Sequence, residues 1–334
     1  MFEKVNPGHP DKMADRLAGA IVDLVYERSG GLAKTNPRVA VEVLAGHGRV
    51  DVQIETSLGR RDLKDDDIAP LIYRIFGSNV IYNILIAPQD AILSDNQTNG
   101  LRCGDNGIFK GCPPTEEQRV LTAITATIYG SIPYDGKYII GEGKMRVNDK
   151  ATGKRLQWIP GKDIKTLTIC QSHATDDEIK DILNAFAEHH GGKGIPVRMD
   201  ASPIELAPQH HFLKLPEKYL GNENVGVFIN PLGPWTGGFH VDCGCTNRKL
   251  GSDMGDGVTG GGLHGKDLSK ADVSVNIWCH LEANRRGRPV EAICSIGDDS
   301  VNGVPYAEIV EQARSYIQSL GGFEKFAEWG LIRP

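Results

Sequence analysis

Apolar residues recur every three or four positions in several segments of the chain, which is the spacing of one face of an α-helix. The first such segment starts after Pro10 and ends near Arg28 and Gly30. Proline suits the first turn of a helix, because the N–H that it lacks would have no partner there. Further helices are predicted where the same spacing begins, at Ile68, Leu121, Ile179, Leu268 and Ala307.

Apolar and polar residues alternate elsewhere, as they do in a half-buried strand. Two such stretches, 39–43 and 50–54, flank the turn residues Gly46, His47 and Gly48, and together they predict a β-hairpin. Other strands are predicted near 80–86, 137–140, 144–147, 165–170, 195–199, 225–229 and 290–296. Strands and helices alternate three times, so we expect an α+β protein of three similar units: 1–95, 96–222 and 223–334. Each unit would be a sheet with helices covering one face.

The composition of the chain argues against several classes of protein and of site. A chain of 334 residues is long enough for two or three domains. Its net charge of -6 argues against a nucleic-acid binder. No run of 18 apolar residues is present, so we expect no membrane span. The first residues have no basic stretch followed by an apolar one, so we expect a cytoplasmic protein. Seven cysteines without a C-x-x-C pair predict reduced thiols rather than disulfides or a zinc site.

The stretch GHPDK at 8–12 offers candidate chemistry at a helix start. His9 precedes a proline and should be extended, while Asp11 falls in the first helical turn, where free N–H groups favour anions. Such a start is common in proteins, and the alternative is a metal-binding carboxylate beside a hydrogen-bonding imidazole. Glu42 and Glu55 should both point away from the valine face of the hairpin. They are either solvated or, if another subunit covers that face, ligands of a cation or an amine.

A glycine-rich segment, GGGLHGKDLSK at 260–270, nearly matches the phosphate loop G-x-x-x-x-G-K-[ST], but Asp267 takes the place of the hydroxyl residue. Lys266 and Lys270 are four residues apart and share a helix face if the helix begins near Asp267. Charged residues are frequent in this part of the sequence, and they include several lysines, Arg248 and Asp272. The cluster is either a solvated basic helix start or a site for a polyphosphate with Mg²⁺, because cations neutralise phosphate oxygens and carboxylates hold the metal.

Taken in order, these stretches resemble the motifs of the S-adenosylmethionine synthetases (methionine adenosyltransferases). Residues 8–12 resemble GHPDK, and 38–42 and 54–57 resemble the two glutamate strands. Residues 96–97, 104–107 and 229–233 resemble NQG, GDQG and INPTG. Residues 237–249 resemble GG…GD.GLTGRK, and 260–272 resemble GGGAFSGKDPSKVD. The similarity runs nearly end to end, and it implies a triphosphate clamp at 260–270 rather than a P-loop.

The resemblance implies a reaction, a fold and an assembly. ATP, L-methionine and water would give S-adenosylmethionine, phosphate and diphosphate, with Mg²⁺ and K⁺ as cofactors. The methionine sulfur attacks C5′ of ATP, and the released triphosphate is then hydrolysed. A thioether has no proton to lose, so the attack needs no general base. The implied fold has three α+β units with pseudo-threefold symmetry, and the implied assembly is a homodimer with sites at the subunit interface, leaving a tetramer open.

Roles follow residue by residue from the same resemblance. Asp11 and Asp272 would hold Mg²⁺, and Glu42 would belong to a K⁺ site. The groups implied to act on the reacting atoms and phosphates are His9, Lys144, Arg248, Lys249, Lys266 and Lys270. The groups implied to bind the two substrates are Glu55, Gln97, Asp105, Trp235, Asp242 and Ile296.

The chain also departs from the family pattern. The segment 97–105 is abbreviated, Trp235 replaces Phe, Asn247 replaces Gly, and Val273 stands where an Arg follows Asp272. These departures leave gating, methionine selectivity and triphosphate hydrolysis open. They also motivate two alternatives, a catalytically weak homologue acting as a regulatory or binding subunit, and a related enzyme that uses another thioether acceptor.

Overall fold

The structure is a computed structural model, and it describes residues 1–59, 61–92, 101–142, 144–149, 154–159, 165–189, 197–198, 211–214 and 224–334. The chain forms two compact units. The first comprises Met1–Gly8, Thr115–Gly238 and Arg333–Pro334, and the second comprises His9–Pro114 and Phe239–Ile332. These bounds differ from the three predicted segments, 1–95, 96–222 and 223–334. The division into three units with pseudo-threefold symmetry stays a prediction, whereas a mixed α+β fold is what the structure has.

The first unit is built on a six-stranded sheet, with strand order β1-β6-β9-β12-β11-β10. Elements are numbered in chain order over both units. The strands are β1 (Phe2–Val5), β6 (Gly136–Glu142), β7 (Lys144–Asp149), β8 (Lys154–Ile159), β9 (Lys165–Gln171), β10 (Val197–Arg198), β11 (His211–Lys214) and β12 (Asn224–Ile229). The helices are α3 (Glu116–Ser131) and α4 (Asp176–His189). Strands β12 and β9 run parallel, and β7 and β8 form a separate hairpin.

The second unit holds a four-stranded sheet of order β13-β2-β3-β4. Its strands are β2 (Val39–Gly46), β3 (Arg49–Thr56), β4 (Ile81–Pro88), β5 (Gly107–Gly111), β13 (Cys243–Cys245), β14 (Val290–Cys294), β15 (Ser300–Val301) and β16 (Val304–Pro305). Its helices are α1 (Pro10–Arg28), α2 (Asp65–Phe76), α5 (Leu250–Met254), α6 (Ala271–Arg286), α7 (Tyr306–Leu320) and α8 (Phe323–Trp329). Strands β14 and β5 pair with each other, as do β15 and β16.

Local patterns explain most of these elements. Helix α1 begins at Pro10 and ends at Arg28, as predicted, and its apolar residues belong to the same core as the buried valines of β2 and β3. The hairpin turn takes left-handed backbone at His47 (φ 51°) and Gly48 (φ 79°). Thr115 caps α3 in a reciprocal pair of hydrogen bonds. Its hydroxyl oxygen accepts the N–H of Gln118, and the side-chain oxygen of Gln118 accepts the N–H of Thr115.

One boundary prediction is wrong. Helix α6 begins at Ala271, with Lys270 as its N-cap residue, and not near Asp267. Lys266 and Lys270 therefore do not share a helix face. The cause is tertiary: the N–H of Val41 donates to the carbonyl of Gly265 at 2.7 Å, so this part of the loop pairs with β2. The predicted reduced thiols are confirmed, since all seven cysteines are free. Among the described residues, no helix is long and apolar enough to cross a membrane.

Candidate active site

The start of α1 brings His9 and Asp11 together, as the GHPDK stretch predicts. His9 is the N-cap residue, and its Nδ1 accepts the N–H of Asp11 at 3.2 Å. An Nδ1 that accepts a hydrogen bond carries no proton, so a neutral His9 ring carries its proton on Nε2. Asp11 is completely buried, and its Oδ1 accepts the N–H of Cys245 on β13 at 2.8 Å. The buried carboxylate is therefore held against β13, an edge strand of the four-stranded sheet.

Two cations from the segment after β13 contact the same carboxylate. Nε of Arg248 lies 2.7 Å from Oδ1 of Asp11, and Nζ of Lys249 lies 3.1 Å from Oδ2. The close approach of β13 to α1 requires Gly244, because a Cβ there would lie 2.1 Å from the carbonyl carbon of Pro10. Two cationic side chains are therefore held close together, where they could also bind an anionic ligand.

Glu42 of the hairpin lies beside this cluster. Glu42 and Glu55 are on the face opposite the buried valines, and both are exposed, as their alternation predicts. The hydroxyl of Thr246 donates to Oε2 of Glu42, and the N–H of Thr246 donates to the carbonyl of Val43 at 3.1 Å. Thr246 thus connects Glu42 on β2 directly to the segment that carries Arg248 and Lys249.

The glycine-rich loop supplies another ion pair near the start of β2, along the same edge of the strand that β13 pairs with. Nζ of Lys266 lies 2.5 Å from Oδ2 of Asp272, which is in the first turn of α6. Lys266 also forms a β-bridge with Ala40 on β2. Gly261 passes so close that a Cβ there would lie 2.1 Å from Oδ1 of Asp272. Cations and carboxylates are thus brought to two places along one edge of β2, because the other edge is paired with β3.

Asp267 has a structural role in this loop. Its Oδ2 accepts the N–H of Val39 at 2.9 Å, and its Oδ1 accepts the N–H of Ser269 at 2.8 Å. The residue that breaks the phosphate-loop pattern therefore fastens the loop to the edge of β2. A serine or threonine at this position would have one hydroxyl oxygen in place of the two carboxylate oxygens that accept these bonds.

Asp105 and Ile296 are brought together by a neighbouring turn. The side-chain oxygen of Asn106 accepts the N–H of Ile296 at 2.7 Å, and Oδ1 of Asp105 accepts the N–H of Asn106 at 2.8 Å. Asp242 is exposed, and its Oδ1 accepts the N–H of Cys243 at 2.7 Å, which is a local turn contact. Ile296 is 52% exposed, so its side chain is available to a ligand.

The remaining predicted residues lie elsewhere. Gln97 lies outside the described residues. Lys144 and Trp235 belong to the first unit, where Lys144 is the first residue of β7. Trp235 is 38% exposed, and its ring lies over Gly237, where a Cβ would approach to 2.6 Å. Gly237 has a left-handed backbone (φ 55°), so glycine is required there for two reasons.

One cluster of buried charged residues was not predicted from the sequence. It consists of Lys12, Asp15, Asp253 and His264, and we call it the buried charged layer. Nζ of Lys12 lies 2.7 Å from Oδ2 of Asp253 and 3.0 Å from Oδ2 of Asp15, and Nε2 of His264 lies 2.9 Å from Oδ2 of Asp253. All four side chains are buried. Burial alone would lower the pKa of Lys12, but the carboxylates of Asp253 and Asp15 raise the pKa overall. Burial raises the pKa of Asp15. Charged residues on the buried side of an amphipathic helix, Lys12 and Asp15, were the available signal.

Asp15, Asp253 and His264 have the side chains of a metal site, and their ligand-type atoms lie within 4.8 Å of one another. The ammonium of Lys12 already bonds both carboxylates, at distances of 2.7 to 3.0 Å. A divalent ion at this position would meet that positive charge at close range. We therefore interpret the layer as a structural support in which Lys12 supplies the cation.

Comparison with known proteins gives a consistent family. No family model matches the chain. The S-adenosylmethionine synthase of Mycoplasmopsis pulmonis is 28% identical over 283 residues, covering 82% of this chain and 69% of that protein. The enzyme of the same name from Borrelia garinii is 27% identical over 294 residues, with the same coverage.

A solved structure agrees at the level of fold. An unusual S-adenosylmethionine synthetase from Campylobacter jejuni superposes with a TM-score of 0.63 and 18% identity, covering 99% of this chain and 94% of that one. The fold match spans nearly the whole chain. In sequence the chain is similar to S-adenosylmethionine synthases at 27–28% identity, and in fold it is similar to a solved S-adenosylmethionine synthetase.

Proposed function

We propose that this protein is a methionine adenosyltransferase, which makes S-adenosylmethionine, phosphate and diphosphate from ATP, L-methionine and water. The observation that carries the proposal is the ionic cluster of the second unit. Arg248 and Lys249 contact Asp11, and Lys266 contacts Asp272. The segments that carry these cations bond to the same edge of β2. The names of the relatives supply the reaction class.

The cluster suits a reaction whose difficulty lies in the leaving group. The sulfur–C5′ bond forms as the C5′–oxygen bond breaks, and the bonding electrons leave with the triphosphate. The cationic side chains Arg248, Lys249 and Lys266, with Lys270 at the cap of α6, would stabilise this developing negative charge. In the structure three of these cations contact carboxylates. Phosphate oxygens would take over those contacts when the polyphosphate binds.

When the cations bind phosphate oxygens, the carboxylates that they contacted become free to bind Mg²⁺. Mg²⁺ is usually bound by one or two carboxylates together with substrate phosphates, rather than by a cage made only of protein. Asp11 and Asp272 are two such carboxylates, one at the start of α1 and one at the start of α6. Mg²⁺ would supply charge neutralisation at the phosphates. K⁺ would be held at the exposed Glu42.

His9 would act on the leaving oxygen. Its Nδ1 is fixed as an acceptor by the N–H of Asp11. A neutral ring therefore offers Nε2–H as a donor, and in the proposal this donor faces the oxygen between ribose and triphosphate. We assign Asp105 and Ile296 to the adenosine side, together with Trp235. Glu55, Gln97 and Asp242 are assigned to methionine. Lys144 is assigned to the phosphates.

The proposed assembly is a homodimer. Exposed apolar residues, Leu44 (57%) and Leu85 (51%), lie on the same sheet as the exposed Glu42 and Glu55. A second copy covering that sheet would bury the apolar residues and enclose the glutamates. The oligomeric state in solution tests this part of the proposal.

The test is direct product formation. Purified protein is incubated with ATP, L-methionine, Mg²⁺ and K⁺, and with each ion omitted in turn, and S-adenosylmethionine is measured by mass spectrometry. We expect product with the full set and a large loss without Mg²⁺. Folded protein that binds ATP but gives no product would contradict the proposal and favour the regulatory-subunit alternative. Faster product formation with a methionine analogue than with methionine would favour another thioether acceptor.

A further inference from the structure

Asn247 joins the two segments that carry the cations of the candidate site. Its side-chain oxygen accepts the N–H of His264 at 2.8 Å, and its side-chain nitrogen donates to the carbonyl of His264 at 3.1 Å. Asn247 directly precedes Arg248, and His264 comes two residues before Lys266. Two bonds between one side chain and the backbone of one residue, to its N–H and to its carbonyl, restrict both the distance and the orientation of the segments.

The backbone of Asn247 is held by Asp15 of the buried charged layer. Its N–H donates to Oδ1 of Asp15 at 2.8 Å, and Asp15 is held by Lys12 in the buried charged layer. Asn247 has a left-handed backbone (φ 62°), which asparagine tolerates better than most residues with a side chain. The residue therefore links the buried layer, through its backbone, to the glycine-rich loop, through its side chain.

Gly262 leaves the room that this link needs. A Cβ at Gly262 would lie 2.7 Å from the side-chain nitrogen of Asn247. The backbone of Gly262 is outside the left-handed region, so its own conformation permits a side chain. What opposes a methyl group at this position is the Asn247 side chain. This makes Gly262 an independent means of disturbing the same link.

We propose that Asn247 is a positioning residue of the polyphosphate site, whose side chain sets the spacing between Arg248 with Lys249 on one segment and Lys266 on the other. This inference rests on the proposed function. Phosphate oxygens along one chain have defined separations, so cations held at matching separations bind them without loss of conformational freedom. The family pattern has glycine at this position, and glycine keeps the backbone but provides no such link.

The first experiment uses Asn247→Gly, which removes both side-chain bonds and permits the same backbone. Binding of inorganic tripolyphosphate with Mg²⁺ is measured by calorimetry, and the KM for methionine is measured in the product assay. We expect tripolyphosphate affinity to fall about tenfold while the methionine KM changes by less than about twofold. The matched control is Asn302→Gly. Asn302 is also left-handed (φ 51°), and its side chain donates to the carbonyl of Glu291 at 2.7 Å.

The second experiment adds Gly262→Ala, alone and together with Asn247→Gly. The single variant should weaken tripolyphosphate binding as Asn247→Gly does, because its methyl displaces the Asn247 side chain. The double variant should bind no more weakly than Asn247→Gly alone, because the atoms that the methyl would meet are gone.

Three results would overturn the inference. One is wild-type affinity for tripolyphosphate in Asn247→Gly. Another is a double variant whose loss of tripolyphosphate affinity equals the sum of the losses in the two single variants. The third is an equal effect on methionine and on tripolyphosphate, which a merely structural role would produce. Wild-type protein that binds no tripolyphosphate would overturn the proposed function as well, so the two failures are distinguishable.

Discussion

Nε of Arg248 lies 2.7 Å from Oδ1 of Asp11, and this ion pair joins the segment after β13 to the first turn of α1. Because Lys249 contacts the same carboxylate, two positive charges face one negative charge. Two cations held close together are what a site for an anionic ligand requires. The pair also connects residues from opposite ends of the chain, so the site exists only in the folded second unit.

Replacing Lys266 tests the phosphate contacts. Lys266→Ala removes the cation that is 2.5 Å from Asp272, and we expect a loss of transition-state stabilisation of about 2–4 kcal/mol, comparable with the loss of one oxyanion donor. The measurement is kcat/KM for ATP. The control is Lys325→Ala, since Lys325 is an exposed lysine that pairs with Glu328. Unchanged kinetics in Lys266→Ala would show that this lysine does not touch the phosphates.

Replacing Asp11 tests the metal assignment. Asp11→Asn preserves the size of the side chain but removes its charge, and we expect the Mg²⁺ concentration for half-maximal activity to rise about tenfold. The reason is that Mg²⁺ prefers charged oxygen ligands. Asp51→Asn is the control, because Asp51 pairs with the exposed Arg49 outside the candidate site. An unaltered Mg²⁺ titration would remove Asp11 from the metal site.

Replacing Lys12 tests the buried charged layer. Lys12→Met leaves the buried carboxylates of Asp15 and Asp253 without their shared cation, and we expect the free energy of unfolding to fall by about 3–5 kcal/mol. Urea unfolding followed by circular dichroism measures this loss, with Lys325→Met as an exposed control. A decrease below about 1 kcal/mol, the range of surface ion pairs, would mean that the layer does not support the fold.

His280 predicts a dependence of stability on pH. Burial lowers the pKa of His280 to about 4, below its ordinary value of 6.5. Between these values the unfolded chain binds a proton that the folded protein does not, so stability falls as pH decreases through this window. Across the whole window, protonation of His280 in the unfolded chain lowers the free energy of unfolding by about 3 kcal/mol.

The variant His280→Gln separates this group from others that titrate. Nε2 of His280 lies 2.9 Å from the side-chain nitrogen of Asn284, and glutamine offers an oxygen to the same donor without taking up a proton. We expect the free energy of unfolding of the variant to fall less than that of the wild type between pH 6.5 and 4. Equal slopes in the two proteins would contradict the assignment.

Much of the second unit could be predicted because its signals are local. The apolar stripe after Pro10 and the alternation on both sides of Gly46 and Gly48 correspond to α1 and to the β2–β3 hairpin. Periodicity also placed Glu42 and Glu55 on one exposed face. The order of short motifs indicated the family. Each of these signals lies within a few residues of the feature that it predicts.

Pairing across the chain could not be predicted in this way. Helix α6 begins later than periodicity suggests, because the preceding loop bonds to β2 through Gly265 and Asp267. The layer of Lys12, Asp15, Asp253 and His264 has no local signal that joins its members. The sequence by itself determined the helices, the hairpin and the types of charged group available. Only the tertiary structure decided which cation meets which carboxylate, because burial makes an unpaired charge too costly and selects partners from distant segments.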